Sequence, residues 1–107
     1  MASDRVKGHL DGLLLAVLED EPLHGYAVIE ALQRRSGGSL DLPTGTVYPA
    51  LRRLEAARWI KGSWSVVGGR KRRTYTLTAA GRRALGRERV AWQEFTGSIS
   101  SVLGGGS

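Results

Sequence analysis

The 107-residue sequence predicts one domain, mainly α-helical with a small β-hairpin, ending in a long helix. Three observations carry that prediction. Apolar residues recur at helical spacing in the first half of the chain and again after residue 78. Between them, two β-prone stretches flank Gly68-Gly69. Basic residues crowd the later elements, at 52–53, 58, 61, 70–73, 82–83, 87 and 89, whereas most acids lie earlier, at 4, 11, 19–21, 30 and 41.

The first helix is expected from about Val6 to Leu18, because Leu10, Leu13, Leu14, Val17 and Leu18 share one face. Pro22 closes it, since proline disfavours helix in the residue before it. A second helix is expected over about 24–35, with Gly25, Val28, Ile29 and Leu32 together and Ser36-Gly37-Gly38 as its stop. A third spans about 43–58, with Pro43 at its first position. Val47, Ala50, Leu51 and Leu54 point inward; Gly45, Pro49, Arg52 and Ala56 take the opposite face, flanked by Tyr48 and Arg53. Pro49 removes one backbone hydrogen bond inside that helix. Trp59–Val66 and Arg72–Leu77 read as strands around a Val67–Arg70 turn, with Tyr75 and Leu77 on one face. Thr78 suits the N-cap of the last helix. There Leu85, Trp92 and Ile99 recur every seven residues, with Phe95 and Val102 at the second apolar position, a seam suited to helix–helix association.

Helices two and three then form a helix-turn-helix and the hairpin forms its wing, an arrangement that places the second helix in a DNA major groove. The expected division is a winged helix-turn-helix over 1–77, an association helix over 78–103 and a flexible tail over 104–107. Net charge is +6, from 16 Lys+Arg against 10 Asp+Glu, which favours a polyanionic partner. There are no cysteines, excluding disulfides and thiolate zinc sites. No apolar run reaches the roughly 20 residues of a membrane span, and charged residues interrupt any leader-like stretch at the N-terminus, so a cytoplasmic location is expected.

The candidate DNA contacts follow from chemistry. Arg52 and Arg53 can donate paired hydrogen bonds to guanine or clamp phosphates. Thr44 and Thr46, near a helix start, can join free backbone N–H groups on a phosphate or simply cap the helix. Gly45 allows close backbone approach. Tyr48 can pack its ring on the core edge and turn its hydroxyl outward. Arg70, Lys71, Arg72 and Arg73 make the wing, and strand alternation lets about half of them face DNA together. Trp59 and Trp64 read as wing-to-core packing. His24 with Glu21 is a weak candidate for a divalent metal; a helix-start histidine beside a solvated acidic turn is the plainer reading. No phosphate-cradling loop or nucleophile–histidine arrangement is present, so neither enzymatic activity nor a cofactor is expected.

The stretches Leu23-His24-Gly25-Tyr26, Gly45-Thr46-Val47-Tyr48-Pro49-Ala50-Leu51-Arg52-Arg53-Leu54-Glu55, Gly69-Arg70-Lys71-Arg72-Arg73-Thr74-Tyr75 and Leu77-Thr78-Ala79-Ala80-Gly81 occur in this order and spacing. In this the chain resembles the PadR family of bacterial transcriptional regulators, in its short form with a single C-terminal helix. The resemblance implies a homodimer, associated through the last helix at Leu85, Trp92, Phe95, Ile99 and Val102, that represses transcription from a pseudo-palindromic operator in double-stranded DNA. In multidrug-sensing members a tryptophan on that helix stacks flat aromatic ligands, so the resemblance implies that role for Trp92 alone. Phe95, three residues on, is an added candidate for the same effector site; plain interface packing is the alternative role for both. Release from DNA by a small effector is the expected response. A metal-responsive repressor and a winged-helix module that binds protein are the competing functions.

Overall fold

The computed structural model describes residues 6–104. A 3₁₀ turn, Lys7–His9, leads into α1, Leu10–Val17. The chain continues through β1 (Leu23–His24), α2 (Gly25–Arg35), α3 (Thr44–Ala56), β2 (Ile60–Val67), β3 (Arg70–Leu77) and α4 (Ala79–Leu103). The expected elements are all present, with a few changes of extent. The first turn is 3₁₀ rather than α-helical, and it contains Gly8, a poor helix former. Pro43 is the N-cap of α3 rather than its first residue, and Pro49 leaves that helix continuous.

His24 was expected to begin the second helix; instead the helix begins at Gly25, and His24 forms a short strand with Leu23. It pairs antiparallel with β3, Leu23 opposite Tyr75 and His24 opposite Thr74, so the sheet has three strands in the order β1-β3-β2. The hairpin is also longer than expected. Gly68 and Gly69 both take positive φ, +57° and +77°, which makes a two-residue turn of the I′ kind. Val67 and Arg70 therefore remain paired, and the register runs unbroken to Ile60 opposite Leu77.

The core lies where α1, α2, α3 and the sheet root meet. Leu14, Leu15, Leu18, Val28, Val47, Leu51, Leu54 and Ile60 are its most completely enclosed side chains. The inward face expected for α3 (Val47, Ala50, Leu51, Leu54) is the one buried. Tyr75 and Leu77 close the sheet side, and the first turns of α4 contribute Ala84 and Leu85.

Two junctions fix how the hairpin and α4 leave this core. α3 ends in a Schellman motif, with Trp59 N–H donating to Leu54 O and Arg58 N–H to Glu55 O. It requires Arg58 at a φ of +64°. Thr78 then ties the start of α4 to this corner: its hydroxyl donates to Arg58 O (2.8 Å) and accepts from Gly81 N–H (3.0 Å), as expected of the N-cap. Gly81 packs so closely on the strand that a Cβ there would lie 2.0 Å from Trp59 O. α4 ends at Gly104, in left-handed conformation at φ +75°. The rest of the expected flexible tail, 105–107, lies outside the described residues.

Candidate nucleic-acid interface

α3 presents one face to solvent because its other face supplies the core. Thr44, Gly45, Thr46, Tyr48, Pro49, Arg52 and Arg53 all lie on the exposed side. At its N-terminus Thr46 and Val47 N–H donate to Pro43 O, and no side chain caps the helix. A Cβ at Gly45 would meet nothing within 4 Å, so internal packing does not explain that glycine. Tyr48 is different. Its ring lies against Gly25, where a Cβ would come within 2.7 Å of it. Gly25 and Tyr48, 23 positions apart, are thus two halves of one contact that fastens α3 to the start of α2.

The arginines of α3 diverge. Arg52 forms no ion pair among the described residues. Arg53 reaches back to α1, its two terminal nitrogens each 2.8 Å from an Asp11 oxygen. That hydrogen bonding raises the Arg53 pKa above the usual arginine range.

The hairpin separates its four basic residues as strand alternation requires. Lys71 and Arg73 share one face with Val66 and Trp64, their cross-strand partners; Arg70 and Arg72 share the other with Val67 and Ser65. Arg72 is half-buried and its Nε has no hydrogen-bond partner among the described residues. Trp64 does not pack into the core, contrary to its expected role. It is 61% exposed, with Lys71 Nζ and the Arg73 guanidinium each 5.4 Å from its ring centre. The hairpin extends past the core at this point, and two cations lie over the indole. Trp59, at the sheet root, packs against the core as expected.

Arg73 also reaches Glu55 on α3, with Nε 3.4 Å from one carboxylate oxygen and the second nitrogen bonded to the other. That pairing raises the Arg73 pKa above the usual range. Burial pushes the Tyr75 phenol up, with charge effects from Glu55, Arg73, Arg52 and Tyr48 superposed. The Arg73–Glu55 pair therefore joins the outer edge of α3 to the hairpin.

A separate feature lies between the N-terminal segment and α4. His9, Trp92 and Phe95 form an aromatic cluster, with Trp92 edge-on to His9 at 4.9 Å and 5.9 Å from Phe95. His9 was missed as a member; its place is set by the 3₁₀ turn, which periodicity alone does not reveal. Beside the cluster runs a groove of about 550 Å³ lined by Val6, Leu13, Ala16, Leu40, Leu85 and Trp92 among others. Arg89 crosses from α4 to Glu19 in a paired ion contact of 2.9–3.0 Å, which holds the Glu19 carboxyl below its ordinary range.

Of the expected α4 seam, Leu85 is only 3% exposed and belongs to this chain's own core. The first turns of α4 lie on α1, so Leu85 has no surface left to offer a second copy. Trp92, Phe95, Ile99 and Val102 stay exposed. His24 is held in the sheet and Glu21 in the exposed turn before it; no group of three metal-ligating side chains occurs among the described residues. No described helix is long and apolar enough to cross a membrane.

Comparison with known proteins agrees with this architecture. A profile of the transcriptional regulator PadR-like family matches residues 14–87, well over half of the chain. A transcriptional regulator of Mycobacterium tuberculosis is 40% identical over 88 residues, covering 82% of this chain and 77% of that protein. A PadR family transcriptional regulator from Eggerthella lenta superposes with a TM-score of 0.84 at 27% identity, over 96% of this chain and 88% of the other. A transcriptional regulator from Clostridium thermocellum reaches a TM-score of 0.86 at 22% identity, over 92% and 97% of the two chains, a likeness of fold.

Proposed function

The chain belongs to the transcriptional regulator PadR-like family, and from that premise we propose that it is a cytoplasmic, non-enzymatic repressor that binds operator DNA as a homodimer and is released by a planar aromatic effector. One observation carries the DNA reading. α3 offers an exposed face of Thr44, Gly45, Thr46, Tyr48 and Arg52 beside a basic hairpin, and its first turn is open to solvent with no side-chain cap. Such a helix start offers N–H groups and a positive dipole end to phosphate, while Arg52 reaches base edges. In a dimer, two such helices about 34–36 Å apart would enter successive major grooves of a pseudo-palindromic site.

The effector part rests on the aromatic cluster of His9, Trp92 and Phe95 beside an open groove. An effector bound there releases DNA only if it prefers the arrangement of the two reading heads that fits the operator less well.

Footprinting on the chain's own promoter, followed by titration at several salt concentrations, tests the DNA reading. Several phosphate contacts predict a steep linear fall of log affinity with log salt. A flat dependence, or no binding at low salt, would instead assign the surface to a protein partner. The effector is tested separately by emission from Trp92 in a Trp59→Phe, Trp64→Phe background. Quenching by a planar aromatic dye is expected; unchanged emission at saturating dye rules the cluster out as a platform.

A further inference from the structure

The four basic residues of the hairpin do not have equal freedom. Arg73 is held on three sides at once. Glu55 of α3 accepts from two of its nitrogens, Trp64 lies beneath its guanidinium, and Gly62 of β2 leaves the space it occupies. A Cβ at Gly62 would stand 2.7 Å from Arg73 Nε, 2.9 Å from its central carbon and 2.9 Å from a Glu55 oxygen. A Cβ there would force the Arg73 guanidinium or the Glu55 carboxylate to move.

The geometry points to Arg73 as a positioning residue rather than a phosphate contact: through Glu55, it fixes the angle between the hairpin and the reading helix. This rests on the DNA-binding reading above. The hairpin is a two-stranded ribbon beyond the core, and such ribbons twist and bend easily. Past the root pairs Ile60–Leu77 and Gly62–Tyr75, the Arg73–Glu55 contact is the ion pair that joins the ribbon to α3. It lies two cross-strand pairs nearer the core than Val66–Lys71, so it sets where the tip residues Arg70 and Lys71 sit relative to α3. Arginine suits the task because its planar fork can engage a carboxylate at two points while stacking on an aromatic face; lysine offers one point charge.

Four variants separate this role from a phosphate contact, measured with a duplex from the chain's own promoter and a random-sequence duplex at low salt. Glu55→Gln removes a negative charge beside DNA, so charge alone predicts tighter binding; the positioning role predicts affinity about five- to tenfold weaker. Gly62→Ala changes no charge but displaces the guanidinium, and should weaken binding similarly with the salt slope unchanged. Arg73→Lys should fail to restore affinity, whereas a phosphate contact would accept lysine. Tm is followed in parallel, so that loss of folding is not read as loss of affinity. Tighter binding by Glu55→Gln, wild-type affinity in Gly62→Ala, or a slope reduced by about 0.9 in Arg73→Gln would overturn the assignment. If the unaltered protein binds neither duplex, the DNA reading fails. The clamp is still tested by Trp64 emission in a Trp59→Phe, Trp92→Phe background, which Gly62→Ala must shift if the guanidinium rests on that ring.

Discussion

At the scale of single residues, glycines that look alike in the sequence have opposite reasons for being glycine. Gly81 is fixed by Trp59 O, which a Cβ would meet at 2.0 Å. Gly81→Ala should therefore lose about 3 kcal/mol, the upper end for overpacking, seen as a lower urea midpoint. Gly45 meets nothing. Alanine there should add about 0.5–1 kcal/mol through helix propensity, yet weaken operator binding if the DNA backbone passes close to that turn. A gain in stability paired with undiminished affinity would show that the glycine has no functional cause. Arg58 makes a complementary case. The Schellman motif at the end of α2 uses Gly37 at φ +64°; the one at the end of α3 places Arg58 at the same angle. A left-handed non-glycine residue costs roughly 1 kcal/mol, so Arg58→Gly should raise the unfolding free energy by about that much, read as a higher urea midpoint. None of these distinctions is legible in the sequence, because each depends on an atom brought close by the fold rather than on a neighbour in the chain.

At the scale of elements, the longer helices were legible and the shortest strand was not. α3 and the start of α4 declare themselves through a 3.6-residue period and a capping threonine, signals that live within one element. β1 has two residues, too few for any period, and exists only because β3 offers it an edge. The ion pairs are equally hidden. α1 is fastened to α3 by Asp11–Arg53, and the turn that follows α1 is fastened to α4 by Glu19–Arg89, partners 42 and 70 positions apart. Arg53 was legible as a basic residue on an exposed face, but its partner was not, and its guanidinium is occupied by Asp11. The Glu19 contact carries a pH signature. Its folded-state pKa lies below the ordinary value of 4.5, mainly through the Arg89 hydrogen bond. Its contribution to stability is therefore full above the unfolded value and lost as pH falls through the folded one. The difference in unfolding free energy between the unaltered protein and Glu19→Gln should be flat from neutral pH down to about pH 5, then shrink on further acidification. A difference that grows towards acid pH would contradict the pairing. Both side chains are substantially exposed, so added salt should reduce the effect.

At the scale of the whole molecule, the single chain is longer than a compact domain of its size. Its radius of gyration is 15.0 Å, against about 13 Å expected for this length, and its extents are 53 × 28 × 21 Å. The excess comes from α4, whose 25 residues run about 37 Å while only its first turns are buried. Beyond Leu85, Trp92, Phe95, Ile99 and Val102 follow one another at helical spacing and remain 49%, 52%, 43% and 86% exposed. In the proposed homodimer this row is the seam: exposed apolar rows mark interaction surfaces, and a second copy of α4 would supply one with the same spacing, as an isologous interface requires. Ile99 stands between Phe95 and Val102 in this row. Ile99→Asp would place an unpaired carboxylate within the seam, where desolvation opposes association strongly. Sedimentation at micromolar concentration should then show a monomer in place of a dimer. The variant should keep its helical circular dichroism, because the last core residues of α4, Ala84 and Leu85, precede the row. Its operator affinity should fall while its affinity for a single half-site duplex stays close to that of the unaltered protein, since each reading helix is built within one chain. A dimer that survives Ile99→Asp would remove this row from the interface. A monomer that still binds the full operator with unchanged affinity would separate association from DNA recognition, and with it the account of how an effector between the last helices could loosen both reading heads together.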